Sequence, residues 1–391
     1  MDQPSNQTPH QISAQAPAQG WPQPSIRIAP SGQPQTRGRN RTPQPAFWVG
    51  DVPVFGDVIL APMAGFSDLP YRSLCQEFGS AMSYTEFVSA EAIVQGGGER
   101  TRLMLAASPR EYPVVFQIFG NSVELLVEAA RRIEALGPHI IDVNMGCSVR
   151  KISGKGAGAG LLRDPAKIGR IFRALTRAVS VPVTGKIRLG WDEENRNYLD
   201  VVRAMEENGA SLVAVHARTK SQGYSGQADW DAIQEIVDAT RLPVIGNGDV
   251  VTVADVERMK AHTGCAAVMV GRGAMGHPWI FQRRDRHQVP FTEKAPVIAE
   301  HFRRMAAFYG QDRALILVRK HIARYLKGYP GIRDLHQRLV QVSSVTEFHQ
   351  LLQAVTERLH PQDAPCSLLD DVPENQPEAR WKPMAAQTRR A

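Results

Sequence analysis

The chain has 391 residues, of which 43% are hydrophobic and 22% charged, with a formal net charge of +7; that length holds one large α/β domain and a smaller companion. No stretch approaches the roughly 18 uninterrupted apolar residues of a membrane span, and the amino terminus is polar rather than a basic start followed by an apolar run, so a soluble, cytoplasmic protein without a membrane partner is expected. The four cysteines Cys75, Cys147, Cys265 and Cys366 form no CxxC pair, which argues against a zinc site, an iron–sulfur cluster or a disulfide framework and leads us to expect no metal.

Residues 1–46 hold nine Gln and nine Pro and few large apolar side chains, a composition that cannot bury enough surface to offset chain entropy. A disordered arm is expected there, and Arg27, Arg37, Arg39 and Arg41 read as part of a solvated leader.

From Val58 the chain alternates strand-like and helix-like segments, the rhythm of βα units. The strand candidates are Val58 to Met63, Met82 to Phe87, Val114 to Phe119, Ile140 to Asn144, Val181 to Arg188, Leu212 to Ala217, Val244 to Asn247 and Ala267 to Val270. Eight such runs predict a closed (β/α)8 barrel, the second unit being the least regular. Between them, Ser122 to Leu136 carries apolar residues at three- and four-residue spacing and Ala166 to Val179 does likewise, as amphipathic helices do. Polar residues fall at strand end after strand end (Gln117, Asn144, Lys186, His216, Asn247). That distribution suits the carboxyl mouth of a barrel better than the single switch point of an open sheet.

The segment after Ile140, IIDVNMGCSVRKISGKGAGA, carries Cys147 just past a buried run and before a basic, glycine-rich loop. A thiol at the mouth of a site can donate a proton to a bound substrate. Lys186, in TGKIRLG, points from the fifth strand into the mouth, where an ammonium group can neutralise negative charge on a reduced flavin or a substrate carbonyl. His216 and Arg218, in VHARTK, share a face. Gln117, in FQIFG, offers an amide donor and acceptor able to read a flavin or pyrimidine edge. The turn Ala61 to Gly65, APMAG, brings backbone close to the mouth.

GNGD (Gly246 to Asp249) ends the seventh run and GRGAMG (Gly271 to Gly276) follows the eighth. Such loops hold a phosphate because small residues let backbone N–H groups approach and a following helix start directs its dipole at the charge. Arg272 adds a charged donor. The second loop also fits GxGxxG, but no further strand with an acidic end follows as a dinucleotide site requires.

After Pro290 the alternation stops, and Val297 to Phe308, Ala314 to Lys327 and Val345 to Leu359 read as helices of a separate bundle. Charge follows the same division: +3 over residues 1–46, zero over 47–290, +5 over 291–360 and −1 over the flexible tail 361–391. Lys320, Arg324 and Lys327 lie at i, i+4 and i+7 opposite Leu315, Val318, Ile322 and Leu326, so a basic stripe on a packed helix is expected to meet a polyanion.

In order, APMAGFSD, QIFG, DVNMGC, GKIRLGW, VHARTKSQGYSG, GNGD, VGRGAMGHPWIF and RKHIARYLKG resemble the blocks of the tRNA-dihydrouridine synthases, specifically the bacterial B subgroup, from about Val58 to about Arg358. The resemblance implies a barrel over residues 47–290 that binds FMN, a tRNA-binding helical domain over 291–360, and reduction of a uridine in tRNA at the expense of NADPH or NADH. It implies that Pro62, Met63, Ala64, Gln117, Lys186, Asn247, Gly248, Asp249, Gly271 and Arg272 contact FMN. Asn144, His216 and Arg218 are implied near the flavin and the uracil ring, and Cys147 as the acid. A hydride to uracil C6 leaves C5 in need of a proton, and a thiol with an unperturbed pKa near 8.5 stays protonated at neutral pH; Cys147 is therefore expected away from any unshielded cation. One departure stands out: the family has proline after this cysteine, and here it is Ser148, which restores a backbone N–H and frees φ.

Lys320, Arg324 and Lys327 are expected to anchor the tRNA backbone while the pocket reads a flipped uracil. Two other readings stay open at this point: an FMN oxidoreductase acting on a free pyrimidine, and an RNA-binding homologue without catalysis. A monomer is expected.

Overall fold

The computed structural model describes residues 44–359; the expected arm and tail, with the arginines of the arm, lie outside them, save the arm's last three residues. Eight parallel strands form the barrel: β1 (Val58–Leu60), β2 (Ser83–Tyr84), β3 (Val114–Phe119), β4 (Ile140–Met145), β5 (Val183–Arg188), β6 (Val213–His216), β7 (Val244–Asn247) and β8 (Ala267–Val270). Each lies within a run expected from the sequence or extends it by one residue. The ladder runs β1-β8-β7-β6-β5-β4-β3-β2. Between β1 and β2 the circle is completed by Ala81 N–H donating to Val58 C=O at 2.9 Å. The second unit is irregular as expected: β2 has two residues, and a further short strand, Val88–Ser89, pairs with the end of β3.

Inside the barrel, Ile59, Met82, Val115, Ile140, Leu212, Ala214, Ile245, Ala267 and Met269 pack as one buried cluster. The same cluster includes Phe47, Val49, Val52 and Val54 of an antiparallel hairpin, Phe47–Val49 paired with Val52–Val54. The hairpin thus covers the amino end of the barrel. Polar side chains at the carboxyl ends of the strands are left at the opposite mouth, where barrel enzymes carry their sites.

The helices follow their sequence signals closely. Ser122 accepts from Leu125 N–H and caps Val123–Glu134; Asp164 accepts from Lys167 N–H, with proline at the helix start, and caps Pro165–Ala178. Such caps satisfy donors that the first helical turn leaves unpaired.

Beyond the barrel come Phe291–Tyr309, Gln311–Tyr325, Arg333–Leu339 and Val345–Arg358. The first starts six residues earlier than expected. Proline at 296 reads as a boundary, yet the helix contains Pro296 and is held upstream of it by the buried Phe291 and Lys294. Arg333–Leu339 has no counterpart in the sequence reading. The helices share a continuous apolar cluster with the barrel, including Tyr71, Leu74, Trp279, Phe302, Val318 and Phe348. Gly276, at φ +63°, marks one close approach: a Cβ there would lie 2.5 Å from the backbone N of Tyr325.

Candidate active site

A buried polar ladder leads to Cys147. Thr184 donates to Asp142 Oδ1 at 2.6 Å, Gln117 Nε2 donates to Asp142 Oδ2 at 2.7 Å, and Asn144 Nδ2 donates to Gln117 Oε1 at 2.9 Å. Asn144 Oδ1 then accepts the backbone N–H groups of Gly146 at 3.2 Å and Cys147 at 2.9 Å. The Gln117 side chain is fully buried and orients Asn144, with one protein bond at each amide atom. Burial pushes the Asp142 carboxyl up to about 6 against the hydrogen bonds from Thr184 and Gln117, which lower it.

Cys147 is half-buried on the loop after β4. Its carbonyl accepts from Ala159 N–H at 3.1 Å, tying the cysteine to the glycine-rich segment that follows. Ser148 C=O accepts from Ser153 Oγ at 3.3 Å, which stitches this position to the next helical turn.

Lys186 and Asn144 are register partners on β5 and β4. The Lys186 ammonium donates to Asn247 Oδ1 at 3.0 Å, and Asn247 Nδ2 donates to Met269 C=O at 2.7 Å, which fixes the amide's orientation. Burial, with a smaller push from Arg188, brings the Lys186 ammonium down to about 7. His216 is the register partner of both Arg188 and Asn247. Burial, followed by Arg188, Lys186, Arg218 and Arg272, keeps its imidazole well below the usual range and hence neutral. Four cations therefore converge on this mouth.

Arg188 was not singled out by the sequence reading, although its i+2 spacing from Lys186 puts it on the same face. It lies within electrostatic range of Cys147, and it keeps its charge because its hydrogen-bond acceptors here are neutral carbonyls. Its guanidinium donates to Gly146 C=O at 2.9 Å, Thr219 C=O at 2.8 Å and Gly223 C=O at 2.7 Å. Tyr224, also missed, is 55% exposed over the mouth. The Arg272 and Arg188 guanidinium carbons lie 4.6 Å and 5.6 Å from its ring centroid, and His216 lies 6.1 Å away ring to ring.

Arg218 and Asp249 act as a pair. Arg218, 1% exposed, donates to both Asp249 oxygens at 2.8 and 2.6 Å and to the carbonyls of Ser225 and Gly226. Asp249 also accepts from Ala228 N–H at 2.7 Å. The Asp249 carboxylate, expected at the cofactor, bonds protein groups in this structure, while Arg218 Nη1 is buried without a hydrogen-bond partner among the described residues.

Gly248, at φ +129°, needs to be glycine: a Cβ would lie 2.8 Å from Ala228 Cβ and 3.3 Å from His216 Cδ2. The eighth loop departs from expectation. No long helix follows Gly271 and Arg272; two 3-10 turns do, Arg272–Ala274 and Pro278–Gln282. A helix dipole therefore does not serve that loop, and a ligand's charge falls to Arg272 and the backbone. Pro62, Met63 and Ala64 lie in the turn after β1, where Met63 N–H donates to Ser67 Oγ at 2.8 Å.

The basic stripe is divided by the fold. Leu315, Val318, Ile322 and Leu326 are buried as expected. Arg324 is exposed and Lys327 half-buried. Lys320 turns inward, its ammonium 5.3 Å from the Phe66 ring centroid and within electrostatic range of Asp68 and Glu86.

Fold and site together describe a (β/α)8-barrel enzyme. Residues 59–360 match the family model for dihydrouridine synthase. The chain is 37% identical over 306 residues to tRNA-dihydrouridine synthase B of Pseudomonas aeruginosa, covering 74% of this chain and 92% of that protein. It is 39% identical over 273 residues to a probable tRNA-dihydrouridine synthase of Rhizobium leguminosarum, covering 70% and 86%. Among solved structures, a 2-naphthoyl-CoA reductase complex superposes with a TM-score of 0.50 at 11% identity over 62% of this chain. This chain spans about half of that protein (52%), and the likeness is one of fold. The chain belongs to the dihydrouridine synthase family and is an oxidoreductase of the barrel type. Among the described residues no helix is long and apolar enough to cross a membrane.

Proposed function

We propose that this protein reduces a uridine in tRNA to 5,6-dihydrouridine, as a monomer in the cytoplasm, with FMN held in the barrel mouth and electrons drawn from NADPH or NADH. The observation that carries the reading is the placement of a half-buried thiol and a buried ammonium at neighbouring strand ends, through the register pair Asn144 and Lys186. Convergent cations and the orphaned Arg218 Nη1 fit an anionic, ring-bearing cofactor. Lys186, Asn247, Gly248, Gly271 and Arg272 would hold it, with Pro62, Met63 and Ala64 alongside, and His216 against its ring as a neutral imidazole.

Reduced FMN, when bound, supplies a hydride for uracil C6. Cys147 gives its thiol proton to C5, and Asn144 sets the thiol's position by gripping the Cys147 N–H. Arg188 keeps the loop in place through Gly146 C=O. Tyr224 offers a ring for the flipped nucleotide to stack on. Arg324 and Lys327 contact phosphates outside the mouth.

The test is a map of dihydrouridine in RNA from cells with and without the gene, complemented by wild type or Cys147→Ala. Loss at a tRNA position, restored by wild type alone, supports the reading. Unchanged dihydrouridine in the deletion strain overturns it.

A further inference from the structure

Where the helical segment meets the barrel, Asp68, His301 and His321 come together from three elements. Asp68 caps the helix Leu69–Glu77, His301 belongs to Phe291–Tyr309, and His321 to Gln311–Tyr325. Each offers one ligand atom, and these atoms all lie within 4.8 Å of one another. All three side chains are buried, Asp68 at 3% exposure and both histidines at 0%.

An independent observation points to a missing partner. His301 Nε2 and both ring nitrogens of His321 are buried without a hydrogen-bond partner, whereas buried polar atoms are almost always satisfied. The imidazoles meet edge-on with centroids 4.5 Å apart, against the ring of Tyr71 at 5.0 and 5.2 Å. The surrounding groups orient the set as outer-shell groups do. Asp68 accepts from Tyr71 N–H at 3.1 Å and from the Tyr309 hydroxyl at 3.0 Å, and the Tyr325 hydroxyl lies 3.3 Å from His301 Nδ1.

Charge also admits a cation. Asp68 and Glu86 face the Lys320 ammonium, two carboxylates against one positive group, and nearby Arg304 is paired with Glu77 and Glu300.

We propose that Asp68, His301 and His321 bind a divalent transition cation of the zinc type, which staples the helical segment to the barrel. Two imidazoles and a carboxylate, with water in the fourth position, are a recurrent ligand set for such ions. Cysteine spacing carries no signal of this site, whose carboxylate and two imidazoles come from three separate elements.

The experiment uses the full-length flavin-loaded protein, stripped by chelator, reloaded with Zn2+ and passed through gel filtration. One zinc per chain should be retained, with a raised melting temperature. Zinc-edge X-ray absorption should show nitrogen and oxygen ligands at about 2.0–2.1 Å, with imidazole scattering and no sulfur at about 2.3 Å. His301→Gln combined with His321→Gln should abolish retention. Failure of the wild type to hold zinc, a sulfur-ligated spectrum, or full retention by the paired variant would each overturn the proposal. Because the spectrum is read on the wild type, it decides the matter even if the paired variant does not fold.

Discussion

Asn144 Oδ1 accepts the backbone N–H of Cys147 at 2.9 Å while Asn144 Nδ2 donates to Gln117, so one side chain joins the reactive loop to the interior of the barrel. Positioning of this kind is expensive to lose, because a misplacement of about 1 Å can cost on the order of a hundredfold in rate. Asn144→Ala should lower kcat for dihydrouridine formation by roughly 10- to 100-fold with RNA affinity little changed. Equal losses in kcat and binding would contradict the assignment.

On the proposed function, Cys147→Ala removes the proton donor and leaves the residues that would hold the cofactor unchanged. Dihydrouridine formation should fall by about 10²- to 10⁴-fold, while bleaching of the flavin by NADPH or NADH keeps its wild-type rate. Stopped-flow absorbance separates the two half-reactions. A variant slowed in flavin reduction would place the thiol on the wrong step.

The Lys186 ammonium, brought down to about 7 by burial, is charged below that pH and loses its charge as pH rises through it. Affinity for FMN should therefore weaken from pH 7 toward 9, by at most about tenfold per pH unit, and Lys186→Met should flatten the dependence. Fluorescence titration with FMN reads this directly. The same depression makes the folded state bind fewer protons than the unfolded one between about 7 and the ordinary lysine value. Its contribution to stability thus improves with rising pH over that window.

Asp249 sits at φ +54° and holds the buried Arg218. Asn tolerates that backbone, so Asp249→Asn isolates the charge. With a guanidinium left against a neutral amide, stability should drop by about 1–3 kcal/mol, measured by urea unfolding. Asp249→Ala should lose more, since it adds backbone strain.

Arg324 and Lys327 stay toward solvent while Lys320 turns in, so charge reversal should separate them. Arg324→Glu and Lys327→Glu should each reduce the salt slope of tRNA binding by roughly one. Lys320→Glu should leave the slope nearly unaltered and lower the melting temperature instead. Filter binding across a salt series tests the division.

Much of this was legible in the chain because it is local. Eight apolar runs bounded by turn residues read as strands, and Cys147, Lys186 and His216 fell at their ends because strand parity is a property of neighbours. What escaped is what the fold alone assembles. Lys320 looked like one tooth of a basic stripe, since helical spacing cannot reveal that Asp68 and Glu86 wait across the interface. The bonds that Gln117 makes to Asp142 and Asn144 were not readable locally, because both partners sit on the neighbouring strand. Arg188 was readable from its spacing to Lys186, yet its three carbonyl acceptors come from two distant loops. The helix containing Pro296 began early for a tertiary reason, the burial of Phe291 and Lys294, which overrides a local signal.

The hairpin of Phe47–Val49 and Val52–Val54 has a kinetic corollary. Because the barrel interior is packed and the hairpin adds to that closure at its amino end, the proposed function would have a nicotinamide donor and a nucleotide swung out of its RNA reach the site through the one remaining mouth, each in turn. Turnover then takes the form of alternating visits, and initial-rate plots against either substrate should give parallel lines.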